Sequence, residues 1–172
     1  MIAYAEKTAD GKIRSFVLPK FIKNTDKLFY VDDVFNGVKT KSYFSDVQFF
    51  SGKGAGAYPT ASAVLSDISA LCYDYRYEYK KLNSTDILEC DSEIYLKIFL
   101  RHEIAFTKIF KSYFHEINES YFNHEIGFLV GTIALSNLKI IAEWSNADSS
   151  IILFDLIDQE KTHSYGISLG YS

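Results

Sequence analysis

Period-two alternation and helical spacing divide the chain into strands and helices. Met1 to Lys7 and Ile13 to Leu18 read as two strands joined at the Asp10-Gly11 turn signal, with Pro19 ending the second. Leu28 to Val31 and Val34 to Thr40 read as strands around Asp32-Asp33, and Val47 to Phe50 as the strand before a glycine loop. Ala61, Val64, Leu65, Ile68, Leu71 and Cys72 recur at helical spacing, which predicts a helix from Pro59 to about Leu71. Tyr73 to Lys80 alternates tyrosines with charges; an extended segment would place the rings on one face, as a docking surface or a half-buried strand. Lys81 to Ser92 is largely polar and reads as a linker.

Beyond it, Ile94, Leu96, Ile98 and Leu100 alternate with Tyr95, Lys97, Phe99 and Arg101, a clear strand. Phe106, Ile109, Phe110, Tyr113, Phe114 and Ile117 follow at helical spacing. Glu119 to Asn123 and Ile126 to Ala134 read as strands around His124-Glu125. Leu138, Ile141, Ala142 and Trp144 fit a short helix, with a strand left open by the β-branched content; Asn146 to Ser149 supplies a turn, and Ile151 to Ile157 is the last strong strand. The order β-α-β-β-α-β is that of a ferredoxin-like split βαβ unit. The expected fold class is α+β: an antiparallel-rich sheet with a glycine loop and helix over 1–80, a linker over 81–92, and the βαββαβ unit over 93–172.

The loop itself, Phe50-Ser51-Gly52-Lys53-Gly54-Ala55-Gly56-Ala57, carries three glycines at alternate positions. Such a loop lets a partner approach bare main chain, and the helix behind it offers unbonded N–H groups to an anion. Gly52, Gly54 and Ala57 fit the loose pattern G-x-G-x-x-[GA]. That pattern belongs to a parallel βαβ unit, whereas hairpin-like strands precede it here. On these grounds alone the loop is either a tight structural turn or an anion cradle.

Composition narrows the classes. With 48% hydrophobic and 23% charged residues, the 172-residue chain is an ordinary globular one with room for one large or two small domains. Its net charge of −4 gives no electrostatic case for nucleic acid or an anionic membrane. No apolar run approaches the roughly 20 residues of a membrane span. The first residues lack the pattern of a signal peptide, so a cytoplasmic protein is expected. Cys72 and Cys90 are too few and too far apart for a disulfide framework or a zinc site. His102, His115, His124 and His163 are dispersed. His115 with Glu116 and Glu119 reads as a solvated helix end before it reads as a metal site, so neither metal ligands nor catalytic residues are assigned.

The run Gly52 to Asp67 (GKGAGAYPTASAVLSD) closely resembles a signature near the end of the catalytic part of homoserine dehydrogenases. Val17-Leu18-Pro19-Lys20-Phe21-Ile22 resembles the family's apolar-Pro stretch, and Val31 to Val38 its next segment, where Asn36 follows an aromatic residue. The three occur in the family's order, and the resemblance runs from about Ile2 to Ile68. It implies oxidoreductase chemistry: hydride transfer between NADP or NAD and aspartate semialdehyde, giving homoserine for threonine and methionine biosynthesis. In the family the glycine loop lies near the nicotinamide. Gly54 is therefore the main carried-over cofactor contact, with Gly52 and Gly56 shaping the loop. Lys53 is placed either on a phosphate or in solvent, and Thr60 either on ligand or as a helix cap.

The family's catalytic segment, D-P-x-x-D-[apolar]-x-G-x-D-x-x-x-K, does not occur in these residues, and on the family's order it and the Rossmann domain precede Met1. The resemblance thus implies a C-terminal portion, inactive alone, that forms a homo-oligomer and works with an N-terminal dehydrogenase domain. The second unit is similar to an ACT domain in element order. It departs from the pattern after the first strand, where Arg101-His102-Glu103-Ile104 contains neither glycine nor proline. An amino-acid effector such as threonine then finds less access to the backbone. The alternatives are a stand-alone, non-enzymatic assembly protein and an amino-acid sensor.

Overall fold

The computed structural model describes residues 1–75, 89–144 and 149–157, and the backbone of 165–170. Two antiparallel sheets carry the fold. The first contains β1 (Ile2–Lys7), β2 (Ile13–Leu18), β3 (Phe35–Ser42), β4 (Asp46–Lys53) and β9 (Tyr165–Gly170), in the order β2-β1-β9-β3-β4. Helix α1 (Ala57–Cys72) follows β4. The second contains β5 (Tyr95–Glu103), β6 (Phe114–Phe122), β7 (Ile126–Ala134) and β8 (Ser150–Ile157), in the order β6-β7-β5-β8, with α2 (Ile104–Phe110) and α3 (Leu135–Glu143) in the connections. Counting its strands one to four along the chain, that order is 4-1-3-2 with every pair antiparallel, the split βαβ arrangement expected from the element order. The α+β class with antiparallel sheets stands.

Several local expectations change. Lys27–Tyr30 is a 3₁₀ turn, not a strand, because the Asp26 carboxylate accepts from the Leu28 amide and caps it. The apolar residues from Phe106 to Ile117 do not form one helix. α2 ends at Phe110, a 3₁₀ turn covers Lys111–Tyr113, and Phe114 begins β6. The strand expected from Glu119 therefore starts five residues earlier. Helical spacing was satisfied by chance there, since the β-branched and aromatic side chains of 113–122 serve a strand equally well. His115, Glu116 and Glu119 consequently lie on a strand, not at a helix end. Tyr73 and Asp74 close α1 rather than opening an extended segment: Asp74 takes φ +52°, and the Tyr75 amide donates back to the Ala70 carbonyl. The rest of that tyrosine run, most of the linker and the Asn146 turn lie outside the described residues.

The core is unevenly shared. Leu96, Ile98, Leu100, Leu129, Ile133, Leu138, Ile141 and Leu153 are fully buried, all of them in the second unit. Among residues 1–75 the buried hydrophobics are Ile2 and Leu28 alone. His102 is enclosed with Phe106 and Phe110. Its Nδ1 accepts from the Glu103 amide at 2.8 Å and its Nε2 lies 3.4 Å from the Trp144 carbonyl, so the bonding fits the neutral ring with the proton on Nε2.

Among the described residues, backbone bonds tie the first sheet to the second unit at two joints. The Phe21 amide and Pro19 carbonyl bond to Leu153 of β8, and Ile13 pairs with Cys90. Arg14 reinforces the second joint, its Nε 2.6 Å from Asp91 while Nη1 lies 3.8 Å from the buried Glu6. The Glu93 amide donates to Asp91 and, with Arg14, holds its carboxyl below the ordinary 3.8 against partial burial, which raises it. A depressed folded-state pKa stabilises the fold above 3.8, and the contribution is lost as pH falls through the depressed value. Acid titration followed by circular dichroism should therefore show Asp91→Asn losing less stability than the parent below pH 3.8. Parallel acid curves for the two proteins would show that this joint carries no such linkage.

Candidate functional site

β4 delivers the chain into the glycine loop, and the β3–β4 ladder fixes its entry by setting Gly52 opposite Asn36 and Lys53 opposite Phe35. The next turn is tied down from within. The Gly54 amide donates to the Val34 carbonyl at 2.8 Å, and the Ala55 amide points at the same oxygen at 3.5 Å. Asn36 lies against Gly54 so closely that a Cβ there would sit 1.7 Å from its Nδ2. A side chain at Gly54 would have to displace that of Asn36. Gly52 differs, since a Cβ built on it meets nothing. Gly56 takes φ +116° and is the residue before α1, with no side-chain cap.

The loop is thus in part the tight structural turn that the sequence left open beside the anion cradle. The amides of Gly54 and Ala55 are committed to Val34, and the unbonded set lies at the helix entrance. The amides of Gly56, Ala57 and Tyr58 have no acceptor among the described residues, as first-turn N–H groups of an uncapped helix do. Thr60 is not a cap either; its hydroxyl donates back to the Gly56 carbonyl at 2.9 Å from inside the first turn. Lys53 places its Nζ 5.9 Å above the Phe35 ring. The outer side of the loop is open, with Gly52 to Tyr58 all exposed.

α1 behind it has no buried residue. Val64, Leu65, Ile68 and Leu71, the face that periodicity predicts to be covered, are each at least half exposed. No cluster of His, Cys, Asp and Glu among the described residues could hold a metal ion.

Against this geometry stand the comparisons. The model of the homoserine dehydrogenase family matches residues 1–69, which takes in β1 to β4, the glycine loop and most of α1. Among solved structures, a homoserine dehydrogenase from Thiobacillus denitrificans shares the fold, with a TM-score of 0.57 and 18% identity over 88% of this chain. The likeness therefore extends past the matched segment into the second unit. The chain spans 41% of that protein's length. No curated protein sequence matches it. No described helix is long and apolar enough to cross a membrane.

Sequence reasoning missed Asn36 as a structural partner of Gly54, although it singled out both. They lie 18 positions apart (54 − 36), and only the β3–β4 register brings them together. It also missed β9, whose Tyr165, Ile167 and Leu169 alternate with small residues and so gave a usable period-two signal.

Proposed function

We propose that this chain works as the C-terminal portion of a homoserine dehydrogenase, interconverting aspartate semialdehyde and homoserine with NADP or NAD together with an N-terminal dehydrogenase domain. The observation that carries this reading is the family match ending in an exposed glycine loop and a bare helix. Gly52, Gly54 and Gly56 are the proposed cofactor-side residues, each with its own part. Gly52 leaves an open surface, Gly54 leaves room for the Asn36 side chain, and Gly56 turns the chain into α1. The amides of Gly56 to Tyr58 suit an anionic group of the cofactor by position and polarity. The cofactor supplies the hydride; this chain contributes main-chain donors and a cover that keeps water from the reacting face.

The exposed apolar residues support a covered position in an assembly. Phe35, Leu65 and Leu71 are 42% to 71% exposed on β3 and α1, large apolar side chains of the kind a partner covers. We assign that surface to the N-terminal domain and to a second copy in a homo-oligomer. The second unit is proposed as an ACT-like assembly module over 93–172, although the strand β9 at its end pairs with β1 and β3 of the first sheet. Combining the chain with a homoserine dehydrogenase N-terminal half should restore aspartate semialdehyde-dependent oxidation of the reduced cofactor. Neither part alone should show it. A folded, combined assembly that stays inactive would overturn the assignment.

A further inference from the structure

A cleft of about 430 Å³ opens where the segment after β2 crosses from the first sheet to the edge strand β8 of the second. Its volume falls within the roughly 300–1,000 Å³ usual for small-molecule sites. Lys20, Lys23, Lys27 and Lys39 line it, against the carboxylates of Asp26 and Asp155. The cleft is therefore cationic by two charges (4 − 2) within a chain whose net charge is −4.

The carboxylates do not neutralise it evenly. Asp26 is committed to Lys39 at 2.7 Å through one oxygen and to the Leu28 amide through the other. Burial pushes its carboxyl up, yet Lys39 and Leu28 outweigh that and keep it below the ordinary range. Asp155 is 71% exposed and stands 3.8 Å from Lys20, a loose pair. Lys23 and Lys27 have no carboxylate partner among the described residues. The opposite character comes from Phe21, Phe49 and Phe154, with Phe21 and Phe154 in tilted contact at 4.9 Å. A lining that combines lysines with phenylalanine rings matches a ligand with an anionic head and a flat apolar body.

We propose that this cleft binds a small aryl anion, its carboxylate or phosphate held by Lys23 and Lys27 and its ring against the phenylalanines. Because Phe154 lies on β8 and Lys39 and Phe49 on the first sheet, such a ligand spans both sheets and fastens the joint between them. The site is separate from the glycine loop and does not depend on the dehydrogenase reading.

Calorimetry and thermal unfolding of the full chain with phenyl phosphate, benzoate, inorganic phosphate and benzyl alcohol test it. At least one of the two aryl anions should bind saturably and raise Tm, and whichever binds more tightly identifies the head group. Benzyl alcohol and inorganic phosphate should each bind at least about tenfold more weakly, lacking one half of the recognition. The double variant K23A/K27A should lose about tenfold or more in affinity, with its ligand-free Tm unchanged because both side chains are exposed. No saturable binding of either aryl anion at millimolar concentration, equal binding of benzyl alcohol, or undiminished binding by the double variant would each overturn the proposal.

Discussion

Gly131→Ala should cost about 3 kcal/mol of stability, the upper end of what an over-filled site costs. The position lies mid-strand in β7, opposite Ile117 in a stretch of β6 that carries an irregularity on either side. There β6 presses its backbone onto β7. An added Cβ would lie 2.2 Å from the Glu116 carbonyl oxygen, 3.0 Å from Ile117 Cα and 2.9 Å from the Phe114 ring. A ring edge can turn away, but a carbonyl held in a ladder cannot move without breaking the pairing. The usual gain from replacing a strand glycine, about 0.5–1 kcal/mol of backbone entropy, is too small to compensate. Urea unfolding should show the midpoint falling by about 1 M or more at unchanged slope. Gly52→Ala is the matched control: its Cβ meets nothing, so a change within about 0.5 kcal/mol is expected. A midpoint for Gly131→Ala equal to the parent's would mean that β6 and β7 do not pair as described.

The second unit was the more legible part of this fold because it buries its own core. Leu96, Ile98 and Leu100 all point inward, and their alternation with half-exposed neighbours is what a one-sided sheet writes into a sequence. Where a stretch fits two periods at once, periodicity cannot decide. Phe114 and Ile117 continue a helical spacing begun at Phe106, yet they pair with Ile133 and Gly131 of β7. The first unit obeys a different logic. α1 has the apolar stripe of a buried helix but no buried residue. Its pattern records contacts with something other than the described residues, so the helix was readable and its surroundings were not. The glycine loop was likewise located by its residues, while which amides remain free followed from Val34 and Asn36, whose approach depends on strand register.

The pairing of Asn36 with Gly54 gives the remaining large effect. Gly54→Ala should cost about 2 kcal/mol, and the loss should depend on Asn36. Gly54 does not take the left-handed conformation, so alanine meets no backbone strain of that kind. The cost is steric, from the Asn36 amide whose Nδ2 and Cγ would lie 1.7 and 2.6 Å from the new Cβ. That side chain must swing out of its place beside the loop. The Gly54–Val34 hydrogen bond can survive this, so the fold should persist while the turn above the open amides loosens. Removing the obstacle reverses the argument. In the double variant N36A/G54A the new methyl group fills space that Asn36 has left, and about 1 kcal/mol or more should return relative to the sum of the single changes. A urea double-mutant cycle measures this coupling directly. Additivity within about 0.5 kcal/mol would show that the two residues do not touch in solution. Coupling would make Asn36 the residue that fixes the path of the loop. On the function proposed above, N36A in the combined assembly should then raise KM for the cofactor more than it lowers kcat, the pattern expected when the altered groups bind the cofactor rather than the reacting carbon.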